Sequence, residues 1–190
     1  MTGITAIGTY LPRSRLARSS IAAAMSWLSP GLSASAAGHR TLAFWDEDST
    51  TMAVEAARDC LVWHDGGDRR ADISALSFAT TTPAFAERQN ASIIHSALRL
   101  PETCLSQDMT GTPRGGLLAL HQALESERTS LVIAADRPVA PAGSLDEMRY
   151  ADGAAAVTVG AGDVLLAYLG GACVTSAFAD RYRKTGERFA

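Results

Sequence analysis

Residues 108–120 read DMTGTPRGGLLAL and contain the transition that decides the fold. The residues just before, 103–109, have the composition of a short strand, and Gly111 predicts a turn after it. Residues 117–124 are mostly apolar and predict a helix. Pro113 suits the first turn of such a helix, because proline has no N–H group to leave unbonded there. We therefore interpret the segment as a strand, a turn and a helix.

The chain on both sides of this segment alternates between strand and helix patterns. Short apolar or alternating runs predict strands at 3–11, 73–80, 130–135, 153–159 and 164–168, the last two as neighbours. Helical spacing and composition predict helices at 14–25, with Ser14 as its N-cap, and at 51–61 and 88–98. Residues 29–47 predict a flexible loop, and residues 138–150 a polar one. The alternation predicts one α/β domain over residues 1–190 with a largely parallel sheet.

The composition is that of an ordinary globular domain. Among 190 residues, 47% are hydrophobic and 19% charged, and the net charge is −3, so a sizeable core can form. Without a basic run, we expect no nucleic-acid binding. Without an apolar run near the about 20 residues that span a bilayer, and without a signal-peptide pattern, we expect a cytoplasmic protein and no membrane contact.

The cysteines and histidines do not form a metal-binding pattern. No pair of cysteines has the Cys-x-x-Cys spacing, and the histidines do not fall at ligand spacing from them. We therefore expect no metal site and reduced, buried thiols. The residues concerned are Cys60, Cys104, Cys173, His39, His64, His95 and His121.

Three segments in this order resemble the thiolase superfamily, specifically hydroxymethylglutaryl-CoA synthases and ketoacyl synthase III proteins. Residues 47–57 (EDSTTMAVEAA) resemble the family's second helix, and residues 108–120 its nucleophile-bearing strand, turn and helix. Residues 150–160 (YADGAAAVTVG) are similar to the strand that follows. The resemblance implies the N-terminal half of a thiolase-like fold, a mostly parallel mixed sheet with helices on both faces.

The resemblance also implies a catalytic cysteine, and Pro113 occupies its position. In the family, the cysteine lies five residues after the aspartate that corresponds to Asp108. There the positive end of the helix dipole favours a thiolate, which takes an acyl group from a thioester. Proline has no nucleophilic atom. We therefore expect no catalytic residue in this chain.

Nearby residues are poor substitutes for the cysteine. Thr110 and Thr112 have hydroxyl groups, which need an adjacent base to act as nucleophiles. Arg114 stays protonated, and we expect Cys104, at the start of the preceding strand, to be an inert core thiol.

The resemblance also implies a general-acid glutamate, as in the synthases, and this chain lacks one at the matching position. Thr81 takes its place in the run 79–82 (ATTT). Glu87 is close in sequence, but we interpret it as an acid at a helix start, where it interacts with the helix dipole.

In this superfamily the catalytic histidine and its polar partner come from a C-terminal half that repeats the layered unit. We expect that half to be absent from this chain, and we interpret all four histidines as surface or hydrogen-bonded side chains. Arg137, with Pro138, and the tail 181–184 either contact a CoA phosphate or are solvated loop charges, and we favour the second interpretation.

Two functions remain open, and a decayed remnant without activity is a third. The first is a non-catalytic subunit that supports acyl transfer or condensation by a partner. The second is an active acyltransferase or synthase whose catalytic residues come from a missing half or a second chain. Either implies CoA or acyl-carrier thioesters as substrates and no covalently bound cofactor. Either also implies a thiolase-fold partner, as a homodimer or a separate C-terminal half, and the first adds an OB-fold, zinc-ribbon protein.

Overall fold

The computed structural model describes residues 1–62, 67–177, 187 and 189, and this part contains an α/β fold. The strands are β1 Thr2–Tyr10, β2 Ser14–Ala17, β3 His39–Leu42, β4 Ala75–Thr80, β5 Leu105–Thr110, β6 Ser130–Asp136, β7 Gly153–Ala161 and β8 Leu166–Ala167. The α-helices are α1 Arg18–Met25, α2 Ser49–Leu61, α3 Asn90–Leu98, α4 Gly115–Leu124 and α5 Leu145–Arg149.

Six strands form one mixed sheet in the order β5-β4-β6-β7-β1-β8. Strand β4 pairs in parallel with both β5 and β6, whereas β7, β1 and β8 are added antiparallel. The predicted mixed α/β sheet is confirmed. The predicted strands at 153–159 and 164–168 are not paired with each other, because β1 lies between them and pairs with both.

Helices cover both faces of this sheet, as predicted. Helices α2 and α3 pack on one face, where Met52 and Ile94 contact the main core around Phe78. Helix α4 packs on the other face, where Ala119 and Ala123 contact a smaller core. One face thus carries two helices and the other a single helix.

Helix α2 forms where its capping residues and its apolar face predict it. The Asp48 side chain accepts a hydrogen bond from the Thr51 N–H at 2.7 Å, and the Thr51 hydroxyl accepts one from the Asp48 N–H at 2.7 Å. This capping box satisfies two N–H groups of the first turn. Met52, Ala56 and Cys60 lie on the buried face.

Two predictions before α2 were wrong. Residues 14–17 form β2 rather than the first turn of a helix, because they pair with β3, and Ser14 therefore caps nothing. The predicted flexible loop at 29–47 contains a 3₁₀ helix, Pro30–Ser35, and the strand β3. Together with α1 and α5, this region has its own small core around Leu32 and Met148.

Within the described residues, no helix is both long and apolar enough to cross a membrane.

Candidate functional site

The carboxyl ends of β5, β4 and β6 lie side by side at one edge of the sheet. The loops that begin at Gly111, Thr81 and Arg137 leave the sheet there. In open α/β sheets, ligands bind at this end of the parallel strands. The edge is therefore the candidate site.

The turn between β5 and α4 holds Pro113 at this edge. Gly111 has a φ of 86°, which favours glycine, and the Gly115 N–H donates to the Thr112 carbonyl at 3.1 Å. Helix α4 begins at Gly115, two residues before the predicted start, with Arg114 as N-cap. Pro113 is exposed and precedes the N-cap, so it lies outside the first helical turn where the sequence placed it.

The first residues of α4 pack directly against the strand ends. A Cβ atom on Gly115 would lie 2.9 Å from the Met109 carbonyl oxygen, whereas one on Gly116 would lie 3.4 Å from the Ala134 Cβ. The helix start can come this close because residue 115 has no side chain. The strand–turn–helix geometry thus persists around Pro113.

A carboxylate at the end of β6 organises the loop after β4. The Oδ1 atom of Asp136 accepts a hydrogen bond from the Thr81 N–H at 2.7 Å and one from the Thr81 hydroxyl at 3.0 Å. The hydroxyls of Thr80 and Thr82 contact the same atom, each at 3.1 Å. Thr81, where the resemblance places a general-acid glutamate, is therefore hydrogen-bonded to Asp136. Sequence reasoning missed Asp136, because its partners lie more than fifty residues away.

Arg137 links this loop to the turn before α2. Its N–H donates to the Thr82 hydroxyl at 2.8 Å, and its Nη1 donates to the Glu47 carbonyl at 2.6 Å. Glu47 accepts hydrogen bonds from the Tyr10 hydroxyl and, at 2.6 Å, from the Phe44 N–H. These two contacts lower the pKa of Glu47, with the Phe44 N–H as the largest cause. The favoured interpretation of Arg137 as a solvated loop charge was wrong; the tail 181–184 lies outside the described residues.

Asp108 binds the start of α3. Its Oδ2 accepts from the Asn90 N–H at 2.7 Å, and its Oδ1 accepts from the Ala91 N–H at 2.6 Å. A carboxylate at this position satisfies two N–H groups that have no partner within the helix. Glu87, predicted for that role, is exposed and lies three residues before α3.

Asp152, in the motif that begins β7, is a buried acid. Its Oδ2 accepts from the Ala43 N–H at 2.7 Å, and its Oδ1 lies 4.0 Å from Arg40 Nη2. The side chains of Arg40 and Asp152 are 8% and 2% exposed, respectively. Burial raises the pKa of Asp152, although the Ala43 N–H and the Arg40 charge oppose the shift. This pair of side chains links β3 to the residue that precedes β7 in the main sheet.

The raised pKa of Asp152 predicts a pH-dependent difference between the chain and D152N. Because the folded pKa lies above the unfolded one, the folded state binds the proton more tightly. The stability that this proton contributes is complete below the unfolded pKa, about 4, and is lost as the pH rises through the folded pKa. Urea denaturation across that range should show the free energy of unfolding falling more steeply in the wild type than in D152N. Parallel curves would contradict the prediction.

The other candidate nucleophiles, Thr110, Thr112 and Cys104, lie on both sides of β5 or within it. The Thr112 hydroxyl accepts a hydrogen bond from the Arg114 N–H at 3.2 Å, and among the described residues neither Thr110 nor Thr112 is hydrogen-bonded to a basic side chain. Cys104 is buried just before β5, at the opposite end of that strand from Pro113. Burial raises the pKa of Cys104, which disfavours the thiolate.

The three histidines that the structure describes lie apart from the candidate site. His39 is exposed in β3, not in the mobile loop expected for it. A ring nitrogen of His95 lies 2.9 Å from the Pro101 carbonyl, and His121 is half-buried in α4. His64 lies outside the described residues. Among those described, no group of three His, Cys, Asp or Glu side chains could hold a metal ion.

Comparison with known proteins shows a thiolase-like fold, and the chain is similar to the N-terminal half of such proteins. The hydroxymethylglutaryl-CoA synthase of Aeropyrum pernix is 28% identical over 163 residues, covering 83% of this chain and 45% of the relative. No protein-family model matches the chain.

Solved structures show the same fold. The 3-oxoacyl-(acyl carrier protein) synthase III of Pseudomonas aeruginosa PAO1 is 25% identical, with a TM-score of 0.72 over 85% of this chain and 52% of that one. PksG, a hydroxymethylglutaryl-CoA synthase from Bacillus, is 21% identical, with a TM-score of 0.73 over 84% of this chain and 41% of that one. The chain spans about half the length of the curated relatives it matches.

Proposed function

We propose that this chain is a non-catalytic thiolase-like subunit or domain. It supports the transfer or condensation of an acyl thioester, on CoA or an acyl carrier protein, by a partner. Two of the similar proteins are named as a hydroxymethylglutaryl-CoA synthase and a 3-oxoacyl-(acyl carrier protein) synthase, which supports acyl-thioester chemistry as the setting.

The observation that carries the proposal is Pro113. It stands where the resemblance places the nucleophile, in a turn whose surrounding geometry is intact. Gly115 and Gly116 still let α4 approach the strand ends, and Asp108 still binds the start of α3. Thr81 in place of the general acid is bound to Asp136. These contacts support a site that keeps its scaffold and lacks its reacting groups.

The partner should cover the α4 face, defined as Leu117, Leu118, Ile7, Ala134 and Ala155. Ile7 pairs with Val157, which packs in the α4 core, and Ala134 pairs with Ala155. All five are exposed, with Leu117 at 73% and Ile7 at 52%. Apolar surface of this kind marks interfaces. The chain matches about half the length of its relatives. A second thiolase-like unit, from a second copy or a separate C-terminal half, would therefore fit this face. An OB-fold, zinc-ribbon protein is a further partner in this proposal.

The state of association tests the partner. We expect the chain to sediment as a dimer, or to form a complex once a thiolase-like partner is added. L117K should weaken that association, because a charge on the α4 face would be buried without a counter-charge. L28K is the control, since Leu28 is also exposed but follows α1. A wild-type chain that stays monomeric with every thiolase-like partner would contradict the proposal.

Intact mass spectrometry with acetyl-CoA tests the missing nucleophile. We expect no acetyl group on the wild-type chain. P113C should gain one: its thiolate, near the N-terminus of α4, attacks the thioester carbonyl and the CoA thiol leaves.

P113S is the matched control, because it changes the same turn without adding a thiol. Peptide mapping should place the acetyl group of the first variant on residue 113. An adduct on wild-type Thr112 or Cys104 would show an active transferase and overturn the non-catalytic assignment. A folded P113C that stays unmodified, with and without partners, would show that the thioester scaffold is not preserved.

A further inference from the structure

A cavity of about 440 Å³ lies between the C-terminal ends of α2 and α3. Its volume falls within the range of small-molecule sites. It lies far from the candidate site. Ser49, at the start of α2, donates to the Thr82 carbonyl at that site, and the 13 residues of α2 span about 20 Å to the other end.

Three arginines are among the described residues that line this cavity. Arg70 makes a bidentate pair with the Asp68 carboxylate: its Nε and Nη2 donate hydrogen bonds at 2.8 Å and 2.6 Å, respectively. Arg58 donates to Glu55 at 2.6 Å, and Glu55 does not line the cavity. Arg99 is the C-cap of α3. Among the residues that the structure describes, the wall holds three arginines and one carboxylate, that of Asp68.

Apolar side chains form the rest of the wall. Leu61 and Leu98 line the cavity but are almost fully buried, whereas Val62, also in the lining, is 74% exposed and provides a hydrophobic surface. Arg99 is fixed through its backbone: φ is 55°, and its N–H donates to the Ser96 carbonyl at 3.1 Å. The cavity thus combines guanidinium groups on rigid elements with an apolar floor.

We propose that this cavity binds a small organic phosphate. The phosphate accepts hydrogen bonds from Arg58 and Arg99, because guanidinium groups match phosphate oxygens in geometry and charge. The organic part of the ligand packs against Val62. This assignment is independent of the role of Pro113.

Titration of the full, ¹⁵N-labelled chain with phenyl phosphate tests the site. Saturable chemical-shift changes should appear at the amides of Leu98 and Arg99. R58Q and R99Q should each weaken binding about tenfold, which corresponds to one hydrogen bond to a charged group. R149Q is the control: Arg149 is exposed on α5, outside the cavity, and its loss should leave the affinity unchanged.

Inorganic phosphate separates the two parts of the proposal. It should bind the same residues more weakly than phenyl phosphate, because it has no apolar part to bury. Equal affinities would overturn the assignment to an organic ligand. The absence of saturable shifts with phenyl phosphate, or affinity that survives in both R58Q and R99Q, would overturn the site itself.

Discussion

Replacing Asp152 with alanine will lower the free energy of unfolding by about 1–3 kcal/mol, the usual cost of leaving a buried polar group without its hydrogen-bond partner. The variant leaves the Arg40 guanidinium, 8% exposed, without its counter-charge. It also removes the acceptor of the Ala43 N–H, which donates to Asp152 at 2.7 Å. Urea or thermal denaturation measures the change. A loss this large is a substantial part of the about 5–15 kcal/mol that stabilises a typical domain.

The double variant R40M/D152A is the control for this prediction. Replacing both charges with apolar groups removes the desolvated guanidinium, so the double variant should be more stable than D152A alone. The Nε of Arg40 and the Oδ1 of Asp152 have no hydrogen-bond partner among the described residues, so the pair is imperfectly satisfied even in the wild type. A D152A variant within about 1 kcal/mol of the wild type would show that this pair does not fasten β3 to the sheet.

The sequence predicted those elements whose signals are local. Helix α2 has its capping residue, its first-turn partner and its apolar face within fourteen residues, and it forms as predicted. Strand β6 is a continuous apolar run, which is typical of a strand buried on both faces. By contrast, residues 14–17 have helical composition but pair with β3, more than twenty residues later. Pairing of that kind overrides local propensity and cannot be seen in a short window.

The same distinction applies to the candidate site. The position of Pro113 could be predicted, because the motif from Asp108 to Gly116 is continuous in sequence. The hydrogen-bond donors to Asp136 could not, since Thr80, Thr81 and Thr82 lie at the end of β4 and in the loop after it, far from Asp136 in sequence. The role of Asp108 at α3 could not be predicted either: Glu87 is closer in sequence to that helix, but Asp108 contacts it from strand β5.

The close approach of α4 to the strand ends gives the second large effect. G115A should lower the free energy of unfolding by about 1–3 kcal/mol, the usual result of overpacking a closely packed position. Its methyl group would lie 2.9 Å from the Met109 carbonyl oxygen, a backbone atom that cannot turn away. The helix start would have to shift away from the end of β5, and the turn that holds Pro113 would move with it.

G116A is the matched control, because it adds the same methyl group one residue later. That methyl group would lie 3.4 Å from the Ala134 Cβ, an ordinary contact, and alanine favours the helix by up to about 1 kcal/mol over glycine. We expect its stability to equal or slightly exceed that of the wild type. If P113C accepts an acetyl group, G115A/P113C should accept it more slowly and G116A/P113C at an unchanged rate. Equal stability of G115A and G116A would mean that the start of α4 is not fixed by this contact, and the turn around Pro113 would then lack the rigid support that a thioester site needs.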